Sequence, residues 1–318
     1  MRCSNFRTVQ LTYTFLAFLS GLPAAADAQH RKAPPATAND SRALAVQVAL
    51  DRAGFSPGEI DGQGGAKTRL ALSAFQAANN LPSSGTSDEA TLGALRVAPE
   101  PIVSYTITQH DVAGPFIGSM PKDMMAAAKL PAFGYTTALE ALAEKFHSSQ
   151  AFLRRLNPRA SWEAGEVIKV PDVEPFELPG KTQAKPAAAR GTTAKPMPDT
   201  GPVEVVLNGA TKSLVVRDSG GRVLMHAPIT SGSEHDPLPI GEWKVTSVSW
   251  NPTFNYNPDL FWDANPTHSK AKIAPGPNNP VGVVWVDINK EHFGLRLALI
   301  IHCFSALKSQ CLLWIRSR

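Results

Sequence analysis

The sequence predicts a multidomain chain of α and β segments: a small three-helix bundle, a second helical unit, a Pro-rich linker and an all-β region. Three observations predict it. Apolar residues recur at helical spacing as far as Leu156, then alternate with period two after Pro202. Pro175, Pro179, Pro186, Pro196, Pro198 and Pro202 crowd the stretch between the two regimes. The chain has 318 residues and is 43% hydrophobic, enough for two or three cores. Three cysteines cannot build a disulfide-rich scaffold or a four-thiolate zinc site. A net charge of +4 without a clustered patch gives no reason to expect nucleic acid as a partner.

The elements follow in order. Arg2 and Arg7 precede an uncharged apolar run, Leu11 to Leu22, and Ala26-Asp27-Ala28 fits a cleavage site. Residues 1–28 therefore read as an export signal, with Cys3 leaving alongside it, and the mature chain is expected in the periplasm or wall. In residues 40–96, Asp40 or Ser41 is expected to cap a helix carrying Leu44, Val48 and Leu50. A turn-rich stretch, Gly54 to Gly62, leads to a second helix over Ala66–Ala78, its inner face carrying Leu70, Ala71, Ala74, Phe75 and Ala78. Thr86-Ser87-Asp88-Glu89 reads as a capping box for a third helix with Leu92 and Leu95.

In residues 135–173, Thr137-Ala138-Leu139-Glu140 is a second capping box. Leu139, Leu142, Ala143 and Phe146 form a helical stripe. A short helix with Phe152, Leu153 and Leu156 stops before Asn157-Pro158, and Gly165–Pro171 reads as a strand. Residues 174–202 are the linker. From 203 to 295 the pattern is β: Val203–Leu207, Ser213–Arg217, a turn at Asp218-Ser219-Gly220-Gly221, Val223–Ala227, Glu242–Val248 and Val281–Ile288. Trp243 and Trp285 fall on strands and are expected in a core; Trp250 and Trp262 complete a set able to line a glycan or peptide groove.

Residues 40–96 resemble the three-helix peptidoglycan-binding module of bacterial wall enzymes, through Gly54-Phe55, Ile60-Asp61-Gly62, Gly65, Thr68, Ala74-Phe75-Gln76, Leu81, Gly85 and Leu95. The resemblance makes Gln63, Arg69 and Gln76 candidate binding residues, as exposed neighbours of the packing positions. Residues 135–173 resemble a LysM repeat, a glycan-binding module, but without a clear first strand. Residues 203–295 resemble the catalytic domain of L,D-transpeptidases, the YkuD domain. Lys212–Ala227, Thr230-Ser231-Gly232-Ser233, Leu238–Val245 and Ile273–Asp287 carry that likeness.

The transpeptidase resemblance implies a cysteine thiolate that attacks a stem-peptide amide, with a histidine base and backbone N–H groups for the oxyanion. His-Gly should follow the last matched strand, and Ser-His/Ser-Gly-Cys-x-Arg about fifteen residues later. Arg296-Leu297-Ala298 stands where His-Gly is expected. Cys311 falls near the cysteine's register without its motif, and Cys303 beside His302 comes too early.

Residues 296–318 contain no Asp, Glu, Gly or Pro. Without the signal the chain has 29 basic and 26 acidic residues. Loss of Arg296, Lys308, Arg316 and Arg318 lowers the 29 to 25. We expect a frameshift or truncation after Leu295: loss of two bases from a His-Gly codon pair would give Arg followed by a codon opening with C. The competing expectation is an apolar C-terminus that docks or anchors in a membrane, although Arg296, His302, Lys308 and Gln310 interrupt it.

No H-E-x-x-H, phosphate loop or G-x-S-x-G elbow around Ser231 or Ser233 occurs, so no metal site or cofactor is expected. The functional expectation is an L,D-transpeptidase-family protein that is inactive as the chain stands. The alternatives are a non-catalytic peptidoglycan-binding protein, and a decoy that occupies stem peptides. The partners expected are stem peptides and glycan strands.

Overall fold

A computed structural model describes residues 38–177, 201–230, 239–291 and 293–297. The expected signal, most of the linker, Ser231, Ser233, Cys303 and Cys311 lie outside them.

Helix α1 (Ala38–Arg52) starts before the expected cap, so Asp40 and Ser41 lie within its first turn. Helix α2 (Ala66–Ala78) has the expected bounds. Its buried face is Thr68, Ala71, Leu72, Phe75 and Gln76, with Leu70 at the rim. Helix α3 (Glu89–Leu95) is capped by Asp88, whose carboxylate accepts from the Thr91 N–H at 2.8 Å. The cap is thus two residues later than Thr86, as a carboxylate at that position can reach the third N–H of the helix.

Segment 97–134 was silent in the sequence. It holds strand β1 (Ile102–Thr106) and the short helix α4 (Met124–Ala127). Helix α5 (Ala138–Lys145) opens at Thr137, whose hydroxyl accepts from the Glu140 N–H at 3.2 Å. Glu140 reaches back one residue further than a capping box requires, accepting from the backbone and hydroxyl of Thr136. Helix α6 (Gln150–Leu156) ends at Asn157, whose amide caps the Leu153 carbonyl at 3.0 Å. Strand β2 (Val167–Pro171) pairs antiparallel with β1, Tyr105 facing Ile168. The helical pair is therefore enclosed by two strands, the first lying upstream of residue 135.

Helix α1 is apolar around most of its girth because it serves two cores. Val46, Ala49 and Leu50 pack with Phe55, Ala71, Leu72, Phe75 and Leu95 in the bundle. Leu44 and Val48 pack with Ile60, Leu139, Leu142, Phe146, Leu153, Ile168 and Val170. Each Val, Leu, Ile or Phe side chain among them contributes about 1.5–3 kcal/mol when fully buried. Polar contacts follow the same seam. The Ile60 N–H donates to the His147 carbonyl at 2.9 Å and the Ser149 N–H to the Ile60 carbonyl at 3.2 Å. Arg155 donates to the Asp61 carbonyl, and His147 Nδ1 lies 2.9 Å from Asp51.

Among the described residues the β region is antiparallel and forms three small sheets. Strands β3 (Val203–Asn208), β4 (Ser213–Asp218) and β5 (Val223–Pro228) form a meander. Asp218 closes its turn by accepting from the Gly220 and Arg222 N–H groups. The β5 edge docks on the bundle: the Ser56 N–H donates to the His226 carbonyl and the His226 N–H to the Gly54 carbonyl. Strands β6 (Val245–Trp250), β9 (Val284–Ile288) and β10 (Gly294–Leu297) form a second sheet in the order β10-β9-β6. Strand β10 crosses the expected junction at residue 295, Arg296 pairing with Trp285. Strands β7 (Phe254–Tyr256) and β8 (Ala271–Ile273) pair with each other, with a 3₁₀ turn at Pro258–Leu260 between them.

A third core joins the 107–134 arm to this region: Ala127 and Phe133 pack with Phe254, Tyr256, Ile273, Val281 and Trp285. The Phe133 N–H donates to the Pro275 carbonyl, and the Asn278 N–H to the Phe133 carbonyl. Gly276 sits at φ +153°, and a Cβ there would come within 2.2 Å of the Phe133 carbonyl oxygen. Trp285 is buried as expected, but Trp243 lies off the strands at 37% exposure. Strand β6 starts only at Val245, so Trp243 has no sheet to hold it inward.

Candidate functional site

Two buried glutamines shape the surface of the bundle. Gln47, on α1, is 2% exposed. Its Nε2 donates to Asp61 Oδ1 at 2.9 Å and to the Gln63 carbonyl at 3.0 Å, while its Oε1 accepts from the Gly62 N–H at 2.9 Å. Asp61 Oδ1 accepts in turn from the Gln63 N–H at 2.7 Å. A single α1 side chain thus fixes the 61–63 turn and sets Gln63 outward in solvent. Gln76, on α2, repeats the device for the turn ahead of α3. Its Nε2 donates to Thr91 Oγ1 and the Thr86 carbonyl, both at 2.9 Å, and its Oε1 accepts from the Gly85 N–H at 2.8 Å.

Gln76 is fully buried, which corrects the expectation that it is an exposed neighbour. Buried amides must satisfy both ends, and this one spends all of its capacity inside the bundle. Gln63 and Arg69 are exposed, the first on the loop before α2 and the second in the first turns of α2. Asp61 links that loop to α6 through Arg155, so the Gln63 turn borders the helical pair as well. Gln47 escaped the sequence reading. Its signal was a polar residue between Leu44, Val46, Val48 and Leu50, on a helix with no free polar face.

The helical pair carries a charged cluster of its own. Lys145 Nζ lies 2.8 Å from Asp111 and 5.3 Å from the Tyr105 ring centroid, and the Tyr105 hydroxyl donates to Asp111 at 2.6 Å. Burial alone would raise the Asp111 carboxyl, but donors from Lys145, Tyr105 and Thr108 outweigh it and hold the pKa at about 2. Burial likewise pushes the Tyr135 phenol well above its ordinary range, aided by Glu144. These groups lock the arm to α5 and offer no free nucleophile.

In the β region an open cleft of ≈ 430 Å³ is lined by Asn255, Tyr256, Asn257, Lys270, Ala271 and Lys272. The Tyr256 hydroxyl lies 3.0 Å from His268 Nδ1. His226 is 2% exposed with Nδ1 unpartnered, and burial lowers its pKa. Among the described residues no three His, Cys, Asp or Glu side chains gather as a metal site, and no helix is long and apolar enough to cross a membrane.

The bundle, with its stapled turns, is the segment that matches a known family. Residues 39–95 match the peptidoglycan binding domain family. The chain therefore carries a peptidoglycan-binding helical region ahead of antiparallel sheets, which supports a cell-wall-binding role with peptidoglycan as partner. No curated protein matches the chain.

Proposed function

We propose that this chain binds peptidoglycan without cleaving it, and that residues 203–295 descend from an L,D-transpeptidase catalytic domain. The observation that carries the binding half is the matched segment 39–95 with its rigid 61–63 turn. The descent rests on the hairpin of β4 and β5, the Leu238–Val245 and Ile273–Asp287 runs, and the company of a wall-binding module. Residues 29–295 hold no cysteine, and the chemistry implied by that resemblance runs through a thiolate. A frameshift after Leu295 accounts for the missing motif, and residues 1–28 export the chain to the periplasm. Strand β1 supplies a strand ahead of the helical pair, which supports reading residues 135–173 as LysM-like and glycan-binding.

Co-sedimentation with purified sacculi tests the binding. The full chain should pellet, and Gln63→Ala with Arg69→Ala should lower the bound fraction. A chain that stays in the supernatant refutes the proposal. The alternative is an active transpeptidase using Cys311, favoured by a cleft whose Lys270 and Lys272 suit a stem-peptide carboxylate. Mass spectrometry after carbapenem treatment separates the two: an adduct on Cys311 or Cys303 would replace the non-catalytic reading.

A further inference from the structure

The β10-β9-β6 sheet has two unlike faces. On one, the rows Ser249–Trp285–Arg296 and Ser247–Asp287–Gly294 run across the strands. Along β9 and β10 that face is covered: Trp285 enters the core with Ala127 and Phe133, and its indole lies where a Cβ on Gly294 would sit, 2.3 Å away, while Ser247 and Ser249 on β6 are exposed. On the other, the rows are Trp250–Val284–Leu297 and Val248–Val286–Leu295, with Val245 opposite Ile288. Every position on that face is apolar. Val284 at its centre is buried, at 6% exposure, but along β6 the face lies open, with Trp250 57%, Val248 52% and Val245 54% exposed. A contiguous apolar sheet face on an edge strand calls for a covering layer.

We propose that the segment 298–315 of this same chain is that layer. It follows β10 directly, leaving the sheet at the end of the row that contains Trp250. Only His302, Ser305, Lys308, Ser309 and Gln310 within it are polar, so Lys308 is its one formal charge. Strand β6 lies two strand spacings from β10, about 10 Å, while 18 residues reach about 60 Å when extended. The face carries no charge, so the apolar residues of the segment can cover it if Lys308 stays at the solvent edge. The segment is local to the face by connection, which raises its effective concentration above that of any second molecule. Under this proposal, residues read as an aberrant tail act as a structural element of the sheet.

The native cysteines supply the test. In the full chain carrying Cys3→Ser and Trp250→Cys, mild oxidation should give an internal disulfide between position 250 and Cys303 or Cys311, seen by peptide mapping. In the unsubstituted full chain, β6 amides should exchange about tenfold slower than in a chain ended after Leu297. Disulfides formed only between copies would overturn the proposal in favour of a second molecule on the face. Absence of any disulfide, with β6 exchanging as a free edge in the full chain, would overturn it outright. If the shortened chain does not fold, the disulfide map alone decides.

Discussion

Gln76→Met should loosen the second half of the bundle while changing its shape little. Methionine keeps the length of the side chain but cannot satisfy the Gly85 N–H or the Thr91 hydroxyl. Both partners are buried, Thr91 at 0% exposure, so neither can turn to water. Each stranded group costs about 1–3 kcal/mol, giving a total of about 2–6 kcal/mol. The Thr86 carbonyl belongs to an exposed residue and adds little. Amide exchange in the full chain reads this directly: about 3 kcal/mol corresponds to about two powers of ten in the opening equilibrium. Faster exchange should appear over Gly85 and α3 and fade across α5 and α6. Gln63→Ala, at an exposed site, should leave exchange unchanged and act only on sacculus binding. If Gln76→Met leaves the Gly85 amide within threefold of its original rate, the amide is not a staple and the reasoning fails.

Three further outcomes follow from the same contacts. His226 is held neutral by burial, its pKa lowered below 6.5. The unfolded or undocked state then binds a proton the folded state refuses, so β5 docking is fully stable above about pH 6.5 and weakens as pH falls below it. Exchange of the Ser56 amide at pH 7.5 and 5.5 should show the loss, and a flat profile would contradict it. Asp111, depressed to about 2, contributes stability that is present above about pH 4 and lost as pH falls toward 2. Lys145→Met should cost about 3 kcal/mol and flatten that acid limb, measured by thermal melts across pH 2–5. Gly276→Ala should drive a methyl into the Phe133 carbonyl, costing about 1–3 kcal/mol and freeing the arm, so that limited proteolysis cuts near Phe133 while α2 stays protected.

The elements with strong local periodicity were legible in the sequence. Helix α2 and the Leu139–Phe146 stripe stand where the spacing puts them, and the Asp218 turn closes the hairpin that its glycines mark. What escaped is set by distant partners. Strand β1 has only five residues, and its pairing with β2 lies more than 60 positions away. The arm through Phe133 gains its structure from Pro275 and Asn278, which no local pattern reveals. At the candidate site, Gln63 stands outward on a turn held by Gln47, a partner that no local pattern reveals, and Arg69 is exposed on α2. Gln76 was misplaced because a polar residue beside Phe75 reads as a rim position unless its partners, Gly85 and Thr91, are known.

Helix α1 also bears on what can be cut away. The segment that known families recognise ends at residue 95, yet its first helix contributes Leu44 and Val48 to a core completed only by Val173. Excised at the family's bounds, the bundle would carry a bare stripe of Leu44, Val48 and Ile60. Inheritance and folding therefore divide this chain at different places. The core that α1 shares closes only at Val173, and an expression boundary drawn from homology would pass through the middle of it.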